Sequence, residues 1–262
     1  MNLRSLPCVL GLLGLAVSST PAQEIVRDSL PGLRVQWELV RVPGGEVTVP
    51  GANGPQRVTV ESFLIGRTEV PWELYDIFYL RLDVPRDARS AVDAMTRPSR
   101  PYGAPDRGFG HRGWPAISLT HGGAMKFAVW LSEKTGNRYA VASDAQWQRA
   151  ADVAFAGVAP TDIAQHAWGG ANAEGATHAI GKLAPDKLGL FDLLGNAGDW
   201  VTGVDGTPWM RGGSFLTATD SLAPTRRERQ VPSWNSTDPQ DPKSRWWLSD
   251  GPFAGFRLVR IP

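Results

Sequence analysis

The amino-acid sequence predicts an α+β fold that is rich in loops, with few helices and short strands. Its 262 residues include 29 glycines and 21 prolines without regular spacing, which excludes collagen and favours turns. Hydrophobic residues make up 42% and charged residues 20%, a composition that excludes a disordered chain. Apolar residues recur at helical spacing in only a few segments, so loops and short strands must account for the rest.

Short apolar segments in the first part of the chain are typical of strands. They lie at 35–42, 46–49 and 57–64, and Gly- and Pro-rich turns separate them. A long structured loop is expected over 85–118, where proline, glycine and arginine are concentrated. After the last predicted helix, short strands and turns are expected up to the final segment, 255–260.

Three helices are predicted from apolar periodicity and from the residues at their ends. The first follows Pro71, a good first-turn residue, and covers 72–82. The second covers 124–134. The third begins at Ser143, because Ser143 and Gln146 match a capping box.

The N-terminal segment has the three parts of a secretory signal peptide. Residues 1–23 contain one basic residue, an apolar run of about ten residues and a small-residue end, with cleavage expected near residues 22–23. That run is too short to cross a bilayer, which takes about 20 residues. We therefore expect residues 24–262 to form one secreted or periplasmic domain with no membrane span. Cys8 would leave with the signal peptide.

Charge and cysteine content exclude several classes of function. The chain has 27 basic and 26 acidic residues, so it lacks the basic surface of a nucleic-acid-binding protein. Its single cysteine excludes a disulfide framework, a CxxC redox pair, a Cys-ligated zinc site and an iron–sulfur cluster.

Six segments occur in a fixed order along the chain. They are FLIGRTEVPW (63–72), WLSEKTGNRY (130–139), ASDAQWQRAA (142–151), GLFDLLGNAGDWV (189–201), RGGSF (211–215) and GFR (255–257). Together they resemble the formylglycine-generating-enzyme, or sulfatase-modifying factor, family. The resemblance covers nearly all of residues 30–260 and implies a complex fold related to C-type lectins.

The resemblance also shows where this chain departs from the founding activity. Family members with that activity oxidise a cysteine of a client sulfatase to formylglycine, with copper held by two cysteines after the Arg-Gly-Gly-Ser segment. Those positions fall on Thr217 and Leu222 here. Neither side chain is a thiolate, the soft ligand that Cu(I) requires. Copper and formylglycine generation are therefore not expected.

A structural calcium ion is implied by the same resemblance. The matching positions are Asp192, Gly195, Ala197 and Asp199. Two carboxylates and the carbonyl groups of a tight loop suit Ca²⁺, which prefers oxygen ligands. The alternative is that residues 195–196 form only a tight turn and that Asp199 is a solvated or helix-terminal carboxylate.

A surface groove is the third feature that the family topology implies. Arginine, tyrosine and histidine side chains from two segments would approach it and could recognise a carboxylate, a sulfate or a carbohydrate. The candidates are Tyr102, Arg107, His111, Arg226 and Arg227. The alternative is that the arginines pair with local carboxylates, namely Asp106, Asp220 and Glu228.

Two functions follow from these features. The first is a calcium-stabilised binding or accessory module for a peptide, a glycan or an envelope protein. The second is a metal-dependent oxidoreductase of the non-heme iron type, in which His111, His121 and an acidic residue remodel the same cleft. A solvated or core-bonded role for both histidines is the more ordinary interpretation.

Overall fold

A computed structural model describes residues 23–91 and 95–262, so the expected signal peptide lies outside the described residues except for Gln23. The α-helices are α1 (Trp72–Tyr79), α2 (His121–Thr135) and α3 (Asp144–Ala154). The strands are β1 (Ile25–Ser29), β2 (Gln36–Val42), β3 (Gly45–Gly51), β4 (Gly54–Val60), β5 (Phe63–Gly66), β6 (Arg138–Val141), β7 (Gly198–Thr202), β8 (Pro208–Arg211), β9 (Arg227–Arg229), β10 (Ala254–Gly255) and β11 (Leu258–Ile261). The predicted loop-rich α+β class is confirmed.

The larger sheet joins the two ends of the described chain. Its strands follow the order β1-β2-β5-β11-β6, and neighbouring strands are antiparallel. Val259 of β11 pairs with Ile65 on one side and with Ala140 on the other. Because side chains alternate along a strand, Leu64 and Ile65 enter different hydrophobic clusters.

A four-stranded sheet carries the segments that resemble the family. Its order is β10-β7-β8-β9, with β10 parallel to β7 and the other pairs antiparallel. Asp199 of β7 therefore lies between Arg211 and Gly255 on its two neighbours. Strands β3 and β4 form a separate hairpin.

The predicted strand 57–64 is two strands in the structure. β4 ends at Val60 and pairs with β3, whereas β5 begins at Phe63 and enters the larger sheet. The Ser62 hydroxyl donates to the Val42 carbonyl at 3.1 Å, where the chain changes sheets. The final segment is likewise divided into β10 and β11, with Arg257 buried between them.

The three predicted helices are present, but α1 and α2 differ from the predicted ranges. Ser143 Oγ accepts from the Gln146 amide at 3.1 Å, and Gln146 Oε1 accepts from the Ser143 amide at 2.9 Å, which confirms the capping box of α3. Helix α2 starts earlier than predicted, because the Thr120 hydroxyl caps it by accepting from the Gly123 amide at 3.0 Å. Helix α1 ends at Tyr79, before the exposed Leu80.

Aromatic residues dominate the hydrophobic cluster on the α1 and α2 side of the larger sheet. Tyr75 contacts Phe127 with ring centroids 5.3 Å apart and Trp247 at 6.0 Å. The second cluster, on the α3 side, is richer in valine and alanine and centres on Trp147. Within the described ranges, no helix is long and apolar enough to cross a membrane.

Candidate functional site

The two positions predicted to match the copper-binding cysteines, Thr217 and Leu222, hold side chains that are engaged in the fold. Thr217 Oγ1 accepts from the Ser214 amide at 3.0 Å. Leu222 is 2% exposed and packs against Gly169 and Gly213, where a Cβ would come within 2.8 Å of its methyl groups. Leu222 has no donor atom for a metal, and its side chain fills the interior beneath the surface.

Two adjoining clefts lie above these residues and are termed the Leu216 groove. Leu216 and Ala218 line both clefts, and Leu216 is 56% exposed between them. The smaller cleft has a volume of about 280 Å³ and is also lined by Ser214, Thr217, Ser221, Arg226, Glu228 and Phe253. The larger has about 800 Å³ and is also lined by Pro160, Thr161, Ala164, Gly170, Ala171, Thr219 and Asp220.

The neighbouring arginines Arg226 and Arg227 lie in different environments. Arg226 lines the smaller cleft and pairs with Glu228, with Nη2 and Oε1 2.7 Å apart. Arg227 instead lies over the Trp209 ring, 3.7 Å from its centroid, and 3.0 Å from a carboxylate oxygen of Asp144. Of the five predicted groove residues, Arg226 lines the Leu216 groove.

Arg107 and Tyr102 belong to a different part of the surface. The Arg107 guanidinium donates to the Leu248 carbonyl at 2.9 Å and to the Ser249 carbonyl at 2.6 Å, and its Nε donates to Ser118. Arg107 therefore anchors its loop to the chain near residue 248. Tyr102 is 75% exposed and lines a small recess beside that anchor, away from the groove.

His111 is held between two carboxylates, and these residues with the ring beneath them are termed the His111 clamp. Its Nε2 lies 2.8 Å from Asp76 and its Nδ1 2.8 Å from Asp106. The imidazole stacks on Trp72, with ring centroids 5.0 Å apart. Burial opposes protonation of His111, but the hydrogen bonds and charges of the two carboxylates outweigh it and raise its pKa above the usual value.

His121 does not meet His111 at a metal site. Its Nε2 lies 2.9 Å from the Thr202 hydroxyl, and its ring packs edge-on against Trp200. Burial lowers the pKa of His121, whereas that of His111 is raised. Across residues 23–91 and 95–262, no group of three or more His, Cys, Asp or Glu side chains is arranged to hold a metal ion.

The acidic residues predicted to bind calcium lie in a buried polar cluster. Asp199 Oδ2 accepts from Arg257 Nε at 2.8 Å and from Trp147 Nε1 at 3.0 Å. Asp192 Oδ2 accepts from the Gly181 amide at 2.8 Å, and the Asp192 carbonyl accepts from the Arg257 guanidinium at 2.9 Å. The cation that faces Asp199 in this arrangement is therefore Arg257.

The loop between the two aspartates is fixed by its backbone. Gly195 has φ of +76°, and a Cβ at this position would collide with the Trp168 carbonyl, so glycine is required. Asn196 Nδ2 donates to Glu69 Oε1 at 3.1 Å, and its Oδ1 accepts from the His178 amide at 2.8 Å. Ala197 donates its amide weakly to the same Glu69 oxygen at 3.4 Å.

The carboxylates of this cluster outnumber its cations. Burial raises the pKa of Glu69 well above its usual range, and the charge of Asp192 adds to the effect. Burial raises the pKa of Asp192 to about 6 and also raises that of Asp199, against the opposing charge of Arg257. One oxygen of each carboxylate is buried without a hydrogen-bond partner. The two aspartates do not by themselves form a complete calcium site, because Asp199 Oδ2 already accepts from Arg257 and Trp147. Calcium binding here stays a prediction.

Comparison with known proteins settles the family. The family model of the sulfatase-modifying factor enzyme 1-like domain matches residues 32–261. The chain belongs to this family. None of the curated proteins compared with it matches in sequence.

Solved structures show the same sulfatase-modifying-factor fold at low identity. Treponema denticola variable protein 1 has a TM-score of 0.64 and 18% identity, covering 93% of this chain and 100% of its own. PvdO from Pseudomonas aeruginosa has a TM-score of 0.59 and 20% identity, and the match covers 86% of this chain and 94% of PvdO. CarF has a TM-score of 0.56 and 19% identity, and the match covers 86% of this chain and 98% of CarF. The predicted family and fold are confirmed.

The sequence did not reveal which side chains hold the six segments together. Glu69 and Arg257 lie in two of the six segments, yet the pairing of Arg257 with Asp199 joins residues 58 positions apart. A buried charge in an apolar segment was the available signal, since such a charge needs an opposite partner.

Proposed function

We propose that this sulfatase-modifying-factor domain is a binding or accessory module that holds an extended peptide segment of a partner protein in the Leu216 groove. The observation that carries the proposal is an open groove lined by Thr217, which with the buried Leu222 is predicted to take the place of the copper-binding cysteines. A copper oxidase of the founding type needs two thiolates at these positions. Binding needs only the groove.

The chemistry of the groove suits a peptide with apolar and polar side chains. Leu216 and the alanine and proline residues of the larger cleft offer apolar contact, and cleft volumes of about 300–1,000 Å³ are typical of ligand sites. In the smaller cleft, Arg226 and Glu228 present one charge of each sign, and the Ser214 hydroxyl lies beside them. An extended chain could place apolar residues in one cleft and hydrogen-bonding groups in the other.

Export and calcium binding are further parts of the proposal. Cleavage near residues 22–23 would place the domain outside the cytoplasm, as a secreted or periplasmic protein without a thiol. Three buried carboxylates against one guanidinium leave an excess of negative charge around residues 192–199. A calcium ion or bound protons would neutralise it.

A selection experiment tests the proposed peptide binding. A displayed library of random 12-residue peptides is panned on the processed protein, and enriched peptides are measured by fluorescence anisotropy. We expect Leu216→Glu to weaken binding by about tenfold or more, because it places a charge in the apolar contact. The control is Val129→Glu, since Val129 on α2 is 53% exposed, close to the 56% of Leu216.

A second experiment with the same protein distinguishes peptide binding from glycan binding. A glycan array probed with the same protein should show no binding that Leu216→Glu removes. Peptides that bind equally well to wild type and Leu216→Glu would contradict the assignment of the groove. Binding of glycans without enrichment of peptides would contradict peptide binding and favour a glycan as the ligand of the groove.

A further inference from the structure

The protonation state of His111 decides whether its clamp is closed. Both ring nitrogens face a carboxylate oxygen at 2.8 Å, and only the imidazolium form carries a proton on each nitrogen. The charged groups that face the ring are Asp76 from α1 and Asp106 from its own loop, with Glu73 close to Asp76. Loss of the His111 proton removes one hydrogen bond and leaves three carboxylates near a neutral ring.

The charged form of Asp76 is stabilised by its contact with His111. Its side chain is 16% exposed, and its Oδ1 is buried without a hydrogen-bond partner. Its ion-pair partner within the described residues is His111. A carboxylate that is largely removed from water is costly unless an opposite charge stays beside it, so the clamp loses much of its stability when His111 becomes neutral.

The clamp is connected to the Leu216 groove through one short segment. Asp106 Oδ1 accepts from the Gly108 amide at 3.1 Å, and the next residue, Phe109, packs edge-on against Phe215 with ring centroids 5.4 Å apart. Phe215 directly precedes Leu216, which lines both clefts. Phe109 therefore supports the chain from beneath the groove.

The movable part of the loop is limited at both ends. Arg107 stays tied to the Leu248 and Ser249 carbonyls without any contribution from His111. At the other end, the Gly113 amide donates to Glu73 Oε2 at 2.9 Å and the Gly113 carbonyl accepts from the Ile180 amide at 2.9 Å, so Gly113 also stays in place without His111. Between these two ends, Gly108 has φ of +75° and Gly110 has φ of +148°, conformations in which glycine can change without the strain that other residues meet. Opening of the clamp would therefore move residues 108–112 and leave Arg107 and Gly113 in place.

We propose that protonation of His111 latches residues 108–112 onto α1 and thereby holds Phe215 and Leu216 in the binding arrangement of the groove. The latch regulates the site of the proposed function and rests on that proposal for its biological meaning. Above the pKa of His111, the clamp opens, the support from Phe109 is lost and the groove loosens. Peptide affinity then falls by about tenfold for each pH unit that separates the His111 pKa in the latched and unlatched states.

The test measures the mobility of the groove directly and needs no ligand. A nitroxide label is attached to Leu216→Cys in a Cys8→Ser background, which otherwise has no cysteine. Label mobility is followed by electron paramagnetic resonance from pH 5.5 to 9, and the His111 ring is titrated in parallel by ¹⁵N nuclear magnetic resonance. We expect mobility to rise with the same midpoint as His111 deprotonation.

Two variants and a control make the test specific. His111→Gln should leave the label mobile at every pH, and Asp106→Asn should shift the transition to lower pH because one carboxylate no longer favours the imidazolium. His166→Gln is the control, because His166 contacts a backbone carbonyl and has no ion-pair partner in the described structure. It should behave as wild type, and circular dichroism verifies that each variant is folded.

The outcomes separate the latch from the proposed function. Label mobility that stays constant while His111 titrates would overturn the latch, whether or not peptides bind. Mobility that follows His111 in wild type and is pH-independent in His111→Gln supports the latch, even if the peptide selection fails. Selected peptides that bind equally at pH 6 and pH 8.5 would leave the groove assignment intact and refute its regulation.

Discussion

Asp186 provides a sharp test of how burial governs the stability of this fold. Its Oδ1 accepts from the amides of Leu188 at 2.8 Å and Leu190 at 3.0 Å, which shapes the turn leading to Asp192. Its Oδ2 is buried without a hydrogen-bond partner. Burial raises the pKa of Asp186 from 3.8 to about 6, although the two amides favour the charged form. The substitution to test is Asp186→Asn, which keeps the Oδ1 acceptor and removes the charge.

The sign of the pH dependence follows from the raised pKa. A carboxyl group whose pKa is higher in the folded than in the unfolded protein stabilises the fold fully below 3.8, and this stability is lost as the pH rises through about 6. The difference of about two pH units corresponds to about 3 kcal/mol at neutral pH. Since the new amide group also lacks a partner, we expect Asp186→Asn to be more stable than wild type by about 1–3 kcal/mol at pH 7.5 and nearly equal to it at pH 4.

Urea unfolding followed by tryptophan fluorescence measures this difference. Wild type, Asp186→Asn and the control Asp162→Asn are unfolded at several values between pH 4 and pH 7.5. Asp162 is exposed, so its substitution should change the free energy of unfolding little at any pH. A loss of stability in Asp186→Asn that is equal at both ends of the range would refute the reasoning, because it would show that the hydrogen bonds of the charged carboxylate outweigh its burial.

Three further predictions concern the metal, the substituted cysteine position and the buried ion pair. Chelation of calcium should lower the melting temperature of wild type and leave Asp192→Asn unaffected, since a ligand that binds only the folded state stabilises it; equal melting of wild type with and without Ca²⁺ would refute the calcium site. Leu222→Ala should lose about 2–5 kcal/mol in urea unfolding through the cavity it creates, whereas the exposed control Leu216→Ala should lose less than about 1 kcal/mol. Arg257→Met should lose about 3–5 kcal/mol because it leaves Asp199 buried without its cation. The comparison is Arg149→Met, since the half-buried Arg149 donates to the Pro43 and Gly44 carbonyls at 2.9 Å, and a larger loss in this variant would contradict that ranking.

Metal content and catalysis discriminate the binding module from its oxidoreductase alternative. Elemental analysis of the purified protein should find no stoichiometric iron or copper, and a cysteine-containing sulfatase peptide incubated with copper and reductant should yield no aldehyde. Tightly bound iron that is lost in His111→Ala, or an aldehyde product, would favour the enzyme over the module.

Local signals in the sequence predicted the elements that local interactions determine. The capping box at Ser143 depends on residues three positions apart, so the start of α3 could be located from the sequence. The division of 57–64 into β4 and β5 depends on different partners in space, β3 for one and β2 with β11 for the other. Nothing within the segment itself marks that change.

The candidate site shows the same limit. Arg107, Arg226 and Arg227 were expected to face the groove together. Arg107 instead donates to backbone carbonyls 141 and 142 residues away, and Arg227 packs over the Trp209 ring. The position of a flexible, charged side chain is set by such distant partners. That positions 217 and 222 hold no cysteine needed no structure, because residue identity is given by the sequence itself.

The Leu216 groove lies beside the positions that the family resemblance matches to copper ligands, although neither position holds a cysteine. The segments beneath it are held by contacts that involve no sulfur: Arg257 with Asp199, and Asn196 with Glu69. The backbone of Thr217 still accepts from Gly170 at 2.7 Å. Leu222 fills the interior that a smaller side chain would leave as a cavity. Because these contacts use none of the thiolate ligands that the family resemblance implies for the founding oxidase, the absence of those ligands leaves the surface beside them intact, as the proposed binding function requires.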